Sequence, residues 1–359
     1  MGVLSSVLVR YDRDLPAYKD TNITAHAYAN LPAEGTGTGT RVPAELVQEI
    51  LEWVVFPDPK ELGTLLLVAR MIKEWLEPLR FRVVRLDKSR RAHFFMETIR
   101  TKEHIARGVH HIFLPSLDDD NGTFWPIDDV LDALGRCPNI RGIALSFAFN
   151  GPVMLPSLAT IAPRRLAATL FELFEKPNQI DPSHPALAHV THLWLFDGYE
   201  RDEDDSPSVS LAIILGHVCK AATSLPSLTH LELSIFDCTV LAEIQPQLQE
   251  LVGGALHLQC LLLRIPESIE VFGMDVADVA TTFQFTDARI VLLRNTLYAD
   301  SYAEFWEHWE ESALGFDDLW TLADDFIAAK RNNFAPADEF WMENWWEGAS
   351  QDGHGQVVL

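Results

Sequence analysis

Val190-Thr191-His192-Leu193-Trp194-Leu195 and Leu228-Thr229-His230-Leu231-Glu232-Leu233 are two copies of one frame, apolar-x-x-apolar-x-apolar. The frame returns at Phe81 to Leu86, Val109 to Leu114, Ile140 to Leu145 and Leu258 to Leu263, and more weakly at Pro163 to Ala168 and Ala288 to Leu293. Its central residues are Val84, Ile112, Ile143, Leu166, Leu193, Leu231, Leu261 and Val291, at intervals of 28, 31, 23, 27, 38, 30 and 30 residues. A recurrence in this range marks a repeat architecture whose units stack on their neighbours. The longest interval contains Glu200 to Asp205, an acidic run expected to be a solvated loop.

Each frame is short, apolar and suited to a strand, and several are separated by stretches of helical period: Ile127 to Leu134, Val209 to Ala221 and Val240 to Val252. Strands alternating with helices predict an α/β body of parallel strands side by side with helices outside. In such a strand the central residue and the one two later face the core, and their immediate neighbours face away. The outward columns hold His111, His192 and His230 before the centre, and Phe113, Trp194, Glu232, Leu262 and Leu292 after it. His111, Phe113, His192, Trp194, His230 and Glu232 are therefore the candidates for contacting a protein target. The competing expectation is that another part of the chain covers them, because strands apolar on both faces are normally buried on both. The segment from Asp300 to Glu347 is suited to that: 13 acids, two basic residues, and aromatics including Phe305, Trp309, Phe316, Trp320, Phe326 and Trp341 at partly helical spacing.

Upstream of the frames the pattern changes at Arg41. Pro43 suits a first helical position, and Leu46, Ile50, Trp53 and Val54 recur on one helical face. Pro57 and Pro59 end that helix; Asp58 can cap a second, with Pro59 first and Leu62, Leu65, Leu66 and Ala69 as its apolar face. A third short helix carries Ile72, Trp75, Leu76 and Leu79, limited by Pro78. About 40 residues of this kind make little core and usually need a partner or a following domain.

The whole chain of 359 residues is 48% hydrophobic and 22% charged, enough to bury a large core. Its net charge of -24 repels phosphate backbones and anionic lipid, so nucleic acid and membrane are not expected as partners. The cysteines Cys137, Cys219, Cys238 and Cys260 stand singly, which suggests neither a zinc knuckle nor a thioredoxin-like site and fits a reducing compartment. The glycine-threonine run Gly35 to Thr40 has Thr40 where a dinucleotide fingerprint needs its third glycine, and reads as a linker. The pair His189 and His192 at a strand start would face opposite sides and not chelate. No nucleophile elbow is present, so no catalytic residue, metal or cofactor is assigned.

The head, Arg41-Val-Pro-Ala-Glu-Leu-Val-Gln-Glu-Ile-Leu51 followed by Pro59-Lys-Glu-Leu-Gly-Thr-Leu-Leu-Leu-Val-Ala-Arg70 and Trp75, resembles the F-box. The whole chain looks like fungal F-box-like proteins whose bodies carry frames such as Leu-Thr-His-Leu-x-Leu. Val42 stands where that family has a leucine, and no frame has the asparagine of the ordinary leucine-rich ladder, so an irregular leucine-rich-repeat-like body is implied. The resemblance further implies a non-catalytic substrate receptor of a cullin-based ubiquitin ligase, cytoplasmic or nuclear. Its head would bind the Skp-type adaptor through Pro43, Leu46, Ile50, Leu62, Leu66, Val68 and Trp75, and its body would bind an unknown protein target. An interaction scaffold without ligase binding, and an acid-rich hydrolase with a dispersed site, are the alternatives. The expected division is 1–40 disordered segment and linker, 41–80 helical head, 81–298 body, 299–347 acidic aromatic-rich helices and 348–359 flexible tail.

Overall fold

In the computed structural model, which describes residues 44–55, 59–115, 125–196, 211–235, 238–266, 285–295, 309–310, 312–314 and 319–342, the centre of every frame lies in a strand. The expected segments 1–40 and 348–359, Pro43, Asp58 and the Glu200 to Asp205 loop lie outside the described residues. The chain divides into two units between Glu77 and Pro78.

The first unit holds three helices that contact one another: α1 (Ala44–Val55), α2 (Pro59–Leu65) and α3 (Arg70–Leu76). Pro59 opens α2, where its missing N–H costs nothing.

A 3-10 turn at Glu77–Phe81 spans this division, and the second unit continues as β1 (Val83–Arg85), α4 (Ser89–Thr101), α5 (Glu103–Gly108), β2 (His111–Leu114), α6 (Ile127–Arg136) and β3 (Gly142–Leu145). It goes on through α7 (Leu155–Ile161), β4 (Arg165–Ala168), α8 (Leu170–Leu173), β5 (His192–Leu195), α9 (Leu211–Thr223), β6 (His230–Ser234), α10 (Cys238–Gly254), β7 (Cys260–Pro266), β8 (Ile290–Asn295) and α11 (Leu319–Arg331). The eight strands form one sheet in chain order, each parallel to the next. The α/β class and the parallel repeat-like body expected from the frames are thus what the chain adopts.

Register follows the frames with one exception. Val84, Ile112, Ile143, Leu166, Leu193, Leu231 and Leu261 are successive partners across the sheet. Leu261, however, partners Ile290 rather than Val291. The last frame is therefore one residue out, and a one-residue slip exchanges the two faces. Leu292, expected to face away, joins the core under the helices, while Val291 and Leu293 face the other side. A strand apolar at Ile290, Val291, Leu292 and Leu293 gives no alternation from which to choose a frame.

The helices share one face of the sheet. Val130, Ala133 and Leu134 of α6, Val218 and Cys219 of α9, and Leu241, Ile244, Leu248 and Leu251 of α10 pack with the strand centres in a single apolar core. In α6 the cause is local: Asp128 and Asp129 lie in the first turn, Arg136 in the last, and the buried residues recur at i, i+3 and i+4. Pro246 sits inside α10, whose apolar stripe on both sides of it offsets the lost backbone bond.

The opposite face carries a second core, and its cover comes from the C-terminal segment. Trp320, Ala323, Phe326 and Ile327 of α11, with Trp309, Ala313 and Met342, pack on Phe113, Ala144, Ala167, Trp194, Leu262 and Val291. Beyond α11 the chain reaches the last strand: the Leu292 amide donates to the Phe340 carbonyl (2.7 Å), and Leu292 bridges Trp341. Part of an edge that would otherwise expose unpaired amides is thereby closed. Body and C-terminal helix belong to one unit.

Candidate functional site

Two surfaces follow from the sequence, one on the head and one on the strands. On α1, Leu46, Ile50 and Val54 lie four residues apart on one stripe and are 49%, 57% and 47% exposed. Beyond α2, Leu67 (85%) and Val68 (63%) are more exposed still, and so is Met71 (49%) on α3. An amphipathic helix normally turns such a stripe inward. The seven residues assigned to adaptor contact therefore differ in position. Leu46, Ile50 and Val68 are open to a partner, Leu66 and Trp75 are half-buried, Leu62 is buried, and Pro43 lies outside the described residues.

The six residues assigned to target contact come together on one face but are not open. Phe113, Trp194, His230 and Glu232 are buried, and His111 and His192 are half-buried. Of the two expectations for this face, cover by another part of the chain is the one seen at these residues. The physical reason is that small and apolar side chains on this side of the sheet leave a surface wide enough for Trp320, Phe326 and Ile327 to settle on.

Below α11 the two Leu-Thr-His-Leu-like frames form a ladder. The rings of His192 and His230, partners on β5 and β6, are stacked at 4.3 Å and 2°. Trp320 meets both edgewise, at 5.7 and 5.3 Å, and meets Trp194 at 5.0 Å. The Thr229 hydroxyl donates to the Thr191 carbonyl at 3.0 Å and lies 2.8 Å from Nδ1 of His230. Nε2 of His230 then faces both carboxylate oxygens of Asp324, at 3.2 and 3.1 Å. His230 and Asp324 thereby join the sheet to its cover. The Thr191 hydroxyl orients His192 in the same way, donating to the Arg164 carbonyl.

Other polar side chains fasten the same cover. Arg165 Nη1 donates to the Ser312 carbonyl and hydroxyl at 3.1 and 2.6 Å. Lys330 Nζ donates to the Ile290 carbonyl at 3.2 Å and lies over the rings of Phe326 and Phe340; burial lowers its pKa to about 8. Arg264 Nε donates to Glu232 at 2.8 Å in an ion pair that is almost wholly buried, with Glu232 Oε2 and Arg264 Nη2 left unpaired among the described residues. Asp324, Arg264 and Lys330 were not singled out by the frames. Arg264 lies two residues beyond Leu262 on the same face, and Asp324 one turn after Trp320, so alternation and helical period held the available signal.

This face is built for packing. Burial raises the Cys137 and Cys260 thiols, which holds them protonated and inert as nucleophiles. Among the described residues no three His, Cys, Asp or Glu side chains gather as a metal site, and no helix is long and apolar enough to cross a membrane. No protein-family model matches the chain, and no curated protein matches it.

Proposed function

We propose that this protein is a non-catalytic interaction adaptor, the substrate receptor of a cullin-based ubiquitin ligase in the cytoplasm or nucleus. On this reading the head docks a Skp-type adaptor and the body selects a protein target. The observation that carries it is the exposed apolar stripe Leu46, Ile50 and Val54 on α1, with Leu67, Val68 and Met71 nearby in sequence. Apolar surface of this extent on a small helical unit costs solubility unless a partner covers it. The F-box likeness, which assigns Leu46, Ile50 and Val68 to adaptor contact, supplies the partner's class. With Phe113, Trp194, His230 and Glu232 under the cover, target selection falls to exposed parts of the body. Glu232 is committed to Arg264, which favours packing over a poised catalytic acid.

Co-purification of the Skp-type adaptor with the intact chain, with a chain lacking residues 41–80, and with Ile50→Glu tests the proposal. Enrichment by the intact chain alone is expected. If the intact chain fails to enrich the adaptor, the ligase assignment falls and a scaffold without ligase binding replaces it.

A further inference from the structure

Strands β2 to β5 open in one manner: two successive amides converge on a single carbonyl of the preceding strand. His110 and His111 donate to the Arg82 carbonyl, Arg141 and Gly142 to that of His110, Arg164 and Arg165 to that of Arg141, and Thr191 and His192 to that of Arg164, at 2.7 to 3.1 Å. These bonds set Arg82, His110, Arg141 and Arg164 in one row along the amino-terminal edge of β1 to β4. The row is electrostatically continuous, since Arg82 and Arg141 both add to burial in lowering the pKa of His110.

Such a row is unexpected in a chain with 52 acidic residues. Elsewhere the arginines Arg70, Arg91, Arg100, Arg107, Arg136 and Arg289 each carry a carboxylate partner. Arg141 and Arg164 are exposed, stand on neighbouring strands, and have no ion pair or side-chain hydrogen bond among the described residues. Like charges side by side on paired strands repel, and one intervening carboxylate would relieve them. Among the described residues, none pairs with either.

We infer that this edge is a binding site for an acidic peptide segment of a partner protein. Paired strands lie about 4.8 Å apart, so Arg141 and Arg164 stand roughly 5 Å apart across one pairing. An extended segment advances about 3.5 Å per residue, so carboxylates two positions apart, about 7 Å, can face the two guanidinium groups. Guanidinium groups suit carboxylates because two parallel N–H donors match two oxygens. A short acidic peptide is favoured over nucleic acid because the net charge of -24 repels a long polyanion more strongly than a short one. The site is on the body and stands or falls independently of adaptor binding by the head.

The test is fluorescence anisotropy of a labelled peptide of alternating glutamate and glycine, titrated with the full chain at low and at physiological salt. Saturable, salt-weakened binding is expected. Arg141→Glu with Arg164→Glu should weaken it about ten-fold or more, while the charge-matched pair Arg70→Glu with Arg90→Glu leaves it unchanged. Arg164→Gln, a smaller change, should give a partial loss and keeps the test valid if the double variant is poorly folded. No saturable binding by the intact chain, an equal loss in the control pair, or tighter binding of a single-stranded oligonucleotide than of the peptide overturns the inference.

Discussion

Gly142 stands opposite His111 across the β2–β3 pair, and a Cβ at that position would drive into the imidazole ring. Gly142→Ala is therefore expected to destabilise the fold by about 1–3 kcal/mol, measured by chemical denaturation. His111 itself has its pKa lowered to about 3, by burial first and then by Arg165, His110, Arg82 and Arg141. The unfolded chain takes up this proton near the ordinary histidine value while the folded chain refuses it. Stability from this group is thus complete above about pH 6.5 and is lost as pH falls toward 3. His111→Gln should flatten that part of the stability profile, and an unchanged slope would refute the assignment. Lys330 gives the alkaline counterpart: its pKa is lowered to about 8 by burial, so stability rises as pH climbs from about 8 toward 10.5. Lys330→Met should remove the rise, read from denaturation midpoints across that range.

At the scale of elements, α11 decides what the strand face does. Trp320 is buried against Trp194, His192 and His230, and Trp320→Ala should cost about 3–5 kcal/mol. The same variant should speed amide exchange in β5 to β7 more than in β1, because the contact it removes lies over those strands. Uniform acceleration would mean that cover and sheet open only together. Alternation within the frames made the strands, their order and six of the seven inter-strand registers legible in the sequence, since Val84 through Leu261 are apolar centres flanked by alternating positions. It failed at β8, where four successive apolar residues leave the period undefined. The cover was legible as composition, aromatic and acidic, but its fastening was not. His230 with Asp324 and Arg165 with Ser312 join residues 94 and 147 apart, and a period can only report neighbours along one element.

For the whole molecule, the head leaves apolar residues uncovered while the body covers its own aromatic face, and the proposed function divides along the same line. Leu46, Ile50 and Val68, which the proposal assigns to adaptor contact, are exposed, whereas Leu62, assigned with them, is buried: apolar periodicity alone cannot distinguish a core stripe from a docking stripe. The acidic charge of the chain adds a condition, since the row at Arg82, Arg141 and Arg164 is then a local exception to a repulsive field, to be read through its salt dependence. The central claim, that the head docks a Skp-type adaptor, is tested most directly by hydrogen exchange of the full chain with and without that adaptor. The account predicts slowed exchange in α1 and through residues 59–76, with β5 to β7 unchanged. No protection of the head at saturating adaptor, or protection of the strands alone, would contradict it.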